Sequence, residues 1–352
     1  MRAGLKFVLG ELTVVLTLVV LTLVAVDGRP ASAATVAPSS FSGPTGVAAC
    51  GAHVWVTNVT GDSVTELNAS DGTVAQVIGS GRGHFAEPMG VAANGADLWV
   101  ANLSGNTVSE LNCSHGSLVQ TFTSGQLNSP VAVAVGHARV WVASQAHQSY
   151  GAGAVIPDSS SVNEYSIGKS SLTESIAGSS ANGLNGSSGV AISRGKAWVT
   201  NANGNSVTEL NAATGHLVRT ISGSAEAFNW PIGVAAHDGD VWIANLYGNS
   251  ITEINASDGS LIRVITGDGL NGPNSLCVLG KHVWVTNLFG DSVTELDSGA
   301  GSLVRVVKQR ADGFDAPMGV VASGSTVWVA NQYGNTVTEL NAADGSLLRI
   351  VR

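Results

Sequence analysis

The sequence predicts an all-β fold, a seven-bladed β-propeller of four-stranded antiparallel blades. Three observations carry this. First, Trp55, Trp99, Trp141, Trp198, Trp242, Trp284 and Trp328 each sit in a Val-Trp-Val-like triplet, spaced 42 to 44 residues apart except for one gap of 57. Second, each repeat holds four short apolar runs separated by Gly, Asn and Asp, the pattern of four strands joined by tight turns. Third, a four-stranded sheet with two apolar faces cannot bury itself, whereas seven in a ring can, each covering the next. A period of this length with four strands per unit is the propeller signature.

The N-terminus lies outside this pattern. Arg2 and Lys6 precede an apolar run from Phe7 to Val26, and Ala31-Ser32-Ala33 places small residues where a signal peptidase cuts. Residues 1–33 therefore read as a signal peptide. The run of about twenty residues is also long enough to span a bilayer, so an N-terminal membrane anchor is the alternative. Either reading expects the rest of the chain outside the cytoplasm, secreted or on the cell surface. Residues 34–43 form a short linker or edge segment, and the propeller occupies 44–352.

One unit reads Pro-x-Gly-Val-Ala for strand A, Val-Trp-Val-x-Asn for strand B, Gly-Asn-x-Val-Thr-Glu-Leu-Asn into strand C, and Asp-Gly-Ser-Leu-Val-Arg into strand D. Pro231 to Ile265 shows it almost whole. Repeats 1 and 7 both contain all four strands. Closure is therefore expected by packing of blade 1 on blade 7, with Thr35 to Phe41 adding an edge strand.

Most polar residues that attract attention recur with the repeat. A Glu stands in each strand C, at 66, 110, 164, 209, 253, 295 and 339. Ten residues later, across a three-residue hairpin ending in Gly, stand Gln76, Gln120, Glu174, Arg219, Arg263, Arg305 and Arg349. Four cross-strand Glu–Arg pairs follow, at about 0.2–1 kcal/mol each. The seven Glu read as register pins, not as an acidic catalytic set. Asn58, Asn102, Asn201, Asn245, Asn287 and Asn331 close strand B and are expected to bond backbone in the B–C turn. Phe41, Phe85, Leu127, Leu184, Phe228, Leu270 and Phe314 each stand three residues before the strand A Pro position and are expected to pin the D–A loop.

At this point the units resemble the NHL and YVTN β-propeller repeats, over about residues 44–352. The resemblance implies the fold and a wide range of extracellular binding and sensor roles. Two related groups, of the virginiamycin B lyase and gluconolactonase types, are enzymes. They imply a metal-assisted site at one mouth of the central channel. No Glu-x-His pair like that of the lyase type occurs here, and the metal-binding Glu and Asp of the gluconolactonase type have no matching positions.

Composition excludes some partners. Charged residues make up 12% of the chain, about half the usual share. The formal charge is −9; removal of residues 1–33 takes away three positive and two negative charges and leaves −10. No run of Lys or Arg follows the N-terminus, so a phosphate backbone is not an expected partner. The three cysteines, Cys50, Cys113 and Cys277, fall in three repeats at unrelated positions and read as small buried hydrophobes, with neither a disulfide framework nor a C-x-x-C metal pair.

The predicted channel strands carry no charge. The ring after the Pro position, Thr45, Met89, Val131, Ser188, Ile232, Asn274 and Met318, is mostly apolar. Metal-assisted chemistry needs carboxylates or imidazoles converging on one ion. His84 and Glu87, in one D–A loop, are the only candidate pair, and no resident cofactor is expected.

The residues that break the repeat point elsewhere. Tyr247, Phe289 and Tyr333 occupy the position before the B–C Gly in blades 5, 6 and 7, and Trp230 precedes Pro231 in the D–A loop of blade 5. These four predict an aromatic sector on one face. Blade 3 carries twelve extra residues in its B–C loop, among them His147 and Tyr150. The expected function is an extracytoplasmic, monomeric binding module that presents its loop face to a protein, peptide or glycan. The alternatives are a metal-assisted lyase or lactone hydrolase, and a purely structural repeat protein of the envelope.

Overall fold

A computed structural model describes residues 40–136, 138–145, 160–168, 172–179 and 181–352. It shows seven separate four-stranded antiparallel sheets, each ordered A-B-C-D along the chain. Blade 1 comprises Pro44–Cys50, His53–Asn58, Ser63–Asn68 and Val74–Gly79; blade 7 comprises Pro317–Ser323, Thr326–Asn331, Thr336–Asn341 and Leu347–Val351. Among the described residues helix is confined to two short turns, Ser80–Gly83 and Arg310–Asp312. The signal or anchor segment, and all of the Thr35 to Phe41 edge strand except Ser40 and Phe41, lie outside the described residues.

The core is divided among the seams between blades. Trp55 packs with Leu98, Val100 and Leu111 of blade 2, and Trp328 packs with Val54, Val56 and Leu67 of blade 1. All seven repeat tryptophans are 0–1% exposed. Among the described residues no blade borrows a strand from the other terminus, so the ring closes by contact of blade 1 with blade 7, as expected. Phe41, Phe85, Leu127, Leu184, Phe228 and Leu270 are buried beneath their loops, and Phe314 is half-buried against the last seam.

The register matches the predicted pins. Glu209 faces Arg219, Glu253 faces Arg263, Glu295 faces Arg305 and Glu339 faces Arg349, with N···O distances of 2.5–2.9 Å. These carboxylates are almost fully buried, which the sequence did not indicate. The Arg side chains also cross to the next blade. Arg263 donates to the Gly299 carbonyl at 2.9 Å, Arg305 to Ala343 at 3.3 Å, and Arg349 lies against Gly72 of blade 1. A register pin within a blade is thus also a tie between blades.

Two expectations are corrected. The Asn that closes strand B bonds strand C hydroxyls rather than the backbone of the B–C turn: Asn58 Nδ2 donates to Ser63 Oγ at 3.2 Å and Thr65 Oγ1 at 2.9 Å, with close parallels at Asn201, Asn245 and Asn331, while Asn58 Oδ1 accepts the Ser42 N–H of the D–A loop at 3.4 Å. The strand C hydroxyls stand directly across the ladder and reach the amide before the turn does. The cysteines are not all isolated hydrophobes. Cys50, ending strand A of blade 1, forms a disulfide with Cys113, just after strand C of blade 2, with a Cα–Cα distance of 6.1 Å. The two positions are unrelated within a repeat, yet adjacent blades bring them together on the A–B and C–D turn face. Cys277 remains free, and burial pushes its thiol up to about 12.

Candidate functional site

The D–A loops and B–C turns share one face, and the residue before the strand A Pro position organises it. That residue is Gly43, Glu87, Ser129, Gly186, Trp230, Gly272 and Ala316 in blades 1 to 7. All seven adopt positive φ, between 50° and 69°. Each donates its N–H to a side chain of the preceding blade. The acceptors are Asn335, Asp62, Asn106, Ser160, Asn205, Asn249 and Asp291, at 2.7–2.9 Å. Its carbonyl accepts the N–H of its own B–C turn, for example Gly43 from Val59 at 2.9 Å and Trp230 from Leu246 at 3.0 Å. The clamp is the same at every seam, including the closing one from Asn335 to Gly43. The Gly-Asn and Gly-Asp pairs before strand C were its signal in the sequence, since Asn and Asp tolerate the left-handed region that six of these acceptors occupy.

The clamp brings the residue before Pro beside the residue before the B–C Gly, one such pair per blade. A Cβ on Gly186 would touch Asn203, and one on Gly272 would touch the Phe289 ring. In blade 2 the pair is Glu87 and Ser104, joined by a short hydrogen bond. In blade 5 it is Trp230 and Tyr247, with ring centroids 5.4 Å apart and planes tilted by 49°. Tyr247 continues to Phe289 of blade 6, 6.3 Å away with planes 12° apart.

The predicted aromatic sector is therefore a contiguous row of three rings. Trp230, Tyr247 and Phe289 are 36%, 46% and 48% exposed. Tyr333, one blade further, is 73% exposed and stands apart from the row. His147 and Tyr150 lie outside the described residues.

Trp230 is the anomalous member. Left-handed backbone costs a residue with a Cβ about 1–2 kcal/mol, most clearly for a bulky side chain. Blades 1, 4 and 6 use Gly at this position, Ser129 and Ala316 are small and buried, and Glu87 is exposed but bonded to Ser104. Trp230 accepts the strain with its side chain about a third exposed and Tyr247 as its ring contact.

His84 and Glu87 each have a partner elsewhere. His84 Nδ1 lies 3.1 Å from Thr121 Oγ1, and Glu87 is engaged by Ser104. Among the described residues no three His, Cys, Asp or Glu gather as a metal centre. The channel-mouth position is tied into the scaffold instead: Thr57, Thr200 and Thr286 donate to the Met89, Ile232 and Met318 carbonyls of the following blades at 2.6–2.8 Å.

A concavity of about 350 Å³ lies on the opposite face, between the A–B turns of blades 4 and 5. Arg194, Lys196, Asp238 and Asp240 line it. Its Lys196 ammonium is already held by Glu209 at 2.7 Å and the Ala256 carbonyl at 2.5 Å.

No known family model matches the sequence, and no curated protein does. Solved structures share the fold. The chain is similar to a catalytically inactive virginiamycin B lyase from Staphylococcus aureus bound to quinupristin, at 15% identity and TM-score 0.71, covering 86% of this chain and 96% of that one. It is similar to a streptogramin B lyase at 16% identity and TM-score 0.68, covering 84% and 92%. It is equally similar to hydrazine synthase of Kuenenia stuttgartiensis, at 17% identity and TM-score 0.69, covering 90% and 100%. Two unrelated chemistries on one architecture leave the likeness as one of fold: this chain is a seven-bladed propeller built like those of the virginiamycin B lyases.

Proposed function

We propose that this chain is an extracytoplasmic binding module whose recognition surface is the D–A and B–C loop face, centred on Trp230, Tyr247 and Phe289. The observation that carries this is the contiguous row of exposed Trp230, Tyr247 and Phe289 rings. At a position that the clamp holds left-handed in every blade, Trp230 places a large apolar ring partly in solvent. Contiguous exposed aromatics mark partner surfaces, because large flat rings supply contact area at little conformational cost. The Cys50–Cys113 disulfide supports placement in an oxidising compartment, in agreement with the N-terminal segment.

The fold likeness to lyases carries no chemistry at 15–16% identity. The test is panning of a peptide library and a glycan array with wild-type protein and with the combined Trp230→Ala, Tyr247→Ala, Phe289→Ala variant. The wild type is expected to retain ligands that the variant loses at equal melting temperature. Identical retention by the two proteins would exclude this face.

A further inference from the structure

We infer that the Trp230–Tyr247–Phe289 row is a subsite for a neutral glycan, with sugar rings lying flat on the aromatic faces. The inference rests on the loop face being the recognition surface and names the ligand class that the surface suits.

The shape of the row is the first argument. Hot-spot anchors of protein partners seat in desolvated pockets. These rings instead form an open strip, each about a third to a half exposed. Tyr247 and Phe289 lie within 12° of parallel, Trp230 is tilted by 49° to Tyr247, and the steps along the row are 5.4 and 6.3 Å. Such a strip offers successive platforms at about the spacing of sugar units, for a chain that turns between Trp230 and Tyr247. The π face is electron-rich, and the C–H face of a pyranose, polarised by its ring oxygens, is its complement.

The polar surroundings are the second argument. Asn203, Asn229 and Asn271 are exposed beside the row. Asn271 already turns one N–H to the Phe289 carbonyl at 3.1 Å, which fixes the amide against the ring. An amide both donates and accepts, matching a hydroxyl, which does the same. The B–C turns of blades 4 to 6 read Ala-Asn-Gly-Asn, Leu-Tyr-Gly-Asn and Leu-Phe-Gly-Asp, and the residues before their Pro positions read Asn-Gly, Asn-Trp and Asn-Gly. None is basic, so nothing in these turns would pair with phosphate, sulfate or carboxylate. The one acidic residue, Asp291, is engaged by the Ala316 N–H at 2.9 Å.

The third argument is rigidity. Trp230 is held by its own N–H and carbonyl to two different turns, so its platform is set before a ligand arrives.

The structure supplies its own reporter. Seven of the eight tryptophans are buried to 0–1% exposure, so a ligand-induced change in emission reads Trp230. Cellohexaose, chitohexaose, xylohexaose and mannohexaose are titrated into the whole protein, following tryptophan emission and binding heat. At least one is expected to bind and shift the emission. Trp230→Ala and Tyr247→Ala should each weaken that binding by about tenfold or more, with melting temperature unchanged, while Trp230→Phe keeps most of it. Absence of binding by all four sugars, or binding indifferent to both Ala variants, overturns the inference. A peptide retained through Trp230 and Tyr247 while no sugar binds also overturns it, and leaves the loop-face reading standing.

Discussion

Asn335 closes the ring, and its replacement separates two contributions that the clamp combines. Its side-chain oxygen accepts the buried Gly43 N–H at 2.7 Å across the only seam that no chain connection spans, and its own φ is 49°. Asn335→Ala leaves that N–H without its acceptor, at about 1–3 kcal/mol. It also puts a Cβ without a compensating side chain into the left-handed region, at about 1–2 kcal/mol. Asn335→Gly removes the acceptor but keeps the backbone relaxed, so it loses only the first contribution. The expected order is wild type, then Gly, then Ala, with Ala about 3 kcal/mol below wild type and Gly about 2. Urea unfolding followed by far-UV circular dichroism gives these differences. Hydrogen exchange gives their location: in Asn335→Ala the amides of blades 1 and 7 should exchange faster than the rest. Asn205→Ala breaks the equivalent bond to Trp230 inside the ring and should not single out the terminal blades. An Asn335→Ala protein within about 0.5 kcal/mol of wild type, or one more stable than Asn335→Gly, would refute the reasoning.

Three further perturbations test the scaffold. Removing the Cys50–Cys113 bridge by double Ser substitution frees a segment of 63 residues and should lower stability by about 4 kcal/mol, read as a lower urea midpoint; an unchanged midpoint would deny the bridge a role. Burial raises the Glu253 carboxyl from 4.5 to about 7 against the pull of Arg263, with Asp240 pushing the same way as burial. Its protonated form is therefore favoured on folding: the contribution is complete below pH 4.5 and is lost as pH rises through 7. Glu253→Gln should flatten the fall in melting temperature between those limits and be the more stable protein at pH 8, whereas parallel pH curves would contradict this. Gly90→Ala would place its Cβ 2.6 Å from the Val131 carbonyl oxygen of the next blade, an overpacking expected to lower stability by about 1–3 kcal/mol; calorimetry showing no drop would mean that the seam yields easily.

The repeat made the fold legible because a blade's chemistry is local. Val-Trp-Val alternation, hairpin glycines and the ten-residue Glu-to-Arg spacing each concern residues paired within one sheet. What crosses a seam was far less legible, since the Gly-Asn and Gly-Asp pairs marked the clamp without naming its partner. Arg349 reaching Gly72, Asn335 bonding Gly43, and Cys50 meeting Cys113 are relations between non-equivalent positions of adjacent blades. Aligning the repeats compares like with like, so it hides such pairs. The aromatic sector was legible for the opposite reason: Tyr247 and Phe289 share one repeat position, and consecutive blades place that position side by side. Trp230 joined them only through the D–A to B–C pairing that the clamp creates.

The clamp also explains how this scaffold can carry a specific surface without a specific core. At every seam the residue before Pro is fixed by its own backbone atoms, its N–H by the preceding blade and its carbonyl by its own B–C turn. The side chain at that position takes no part in either bond. Glycine is the least strained choice, yet the backbone stays left-handed with Glu87 and Trp230 as well, because two bonds over-determine it. The strain of a large side chain is thereby separated from the register of the ring. Each blade can present a different pair, acidic and hydroxylated at Glu87–Ser104, aromatic at Trp230–Tyr247, without altering how the blades meet. Seven equivalent clamps with unequal side chains make one rim whose composition is set blade by blade, and the only rings stacked into a continuous row on it belong to blades 5 and 6 among the described residues.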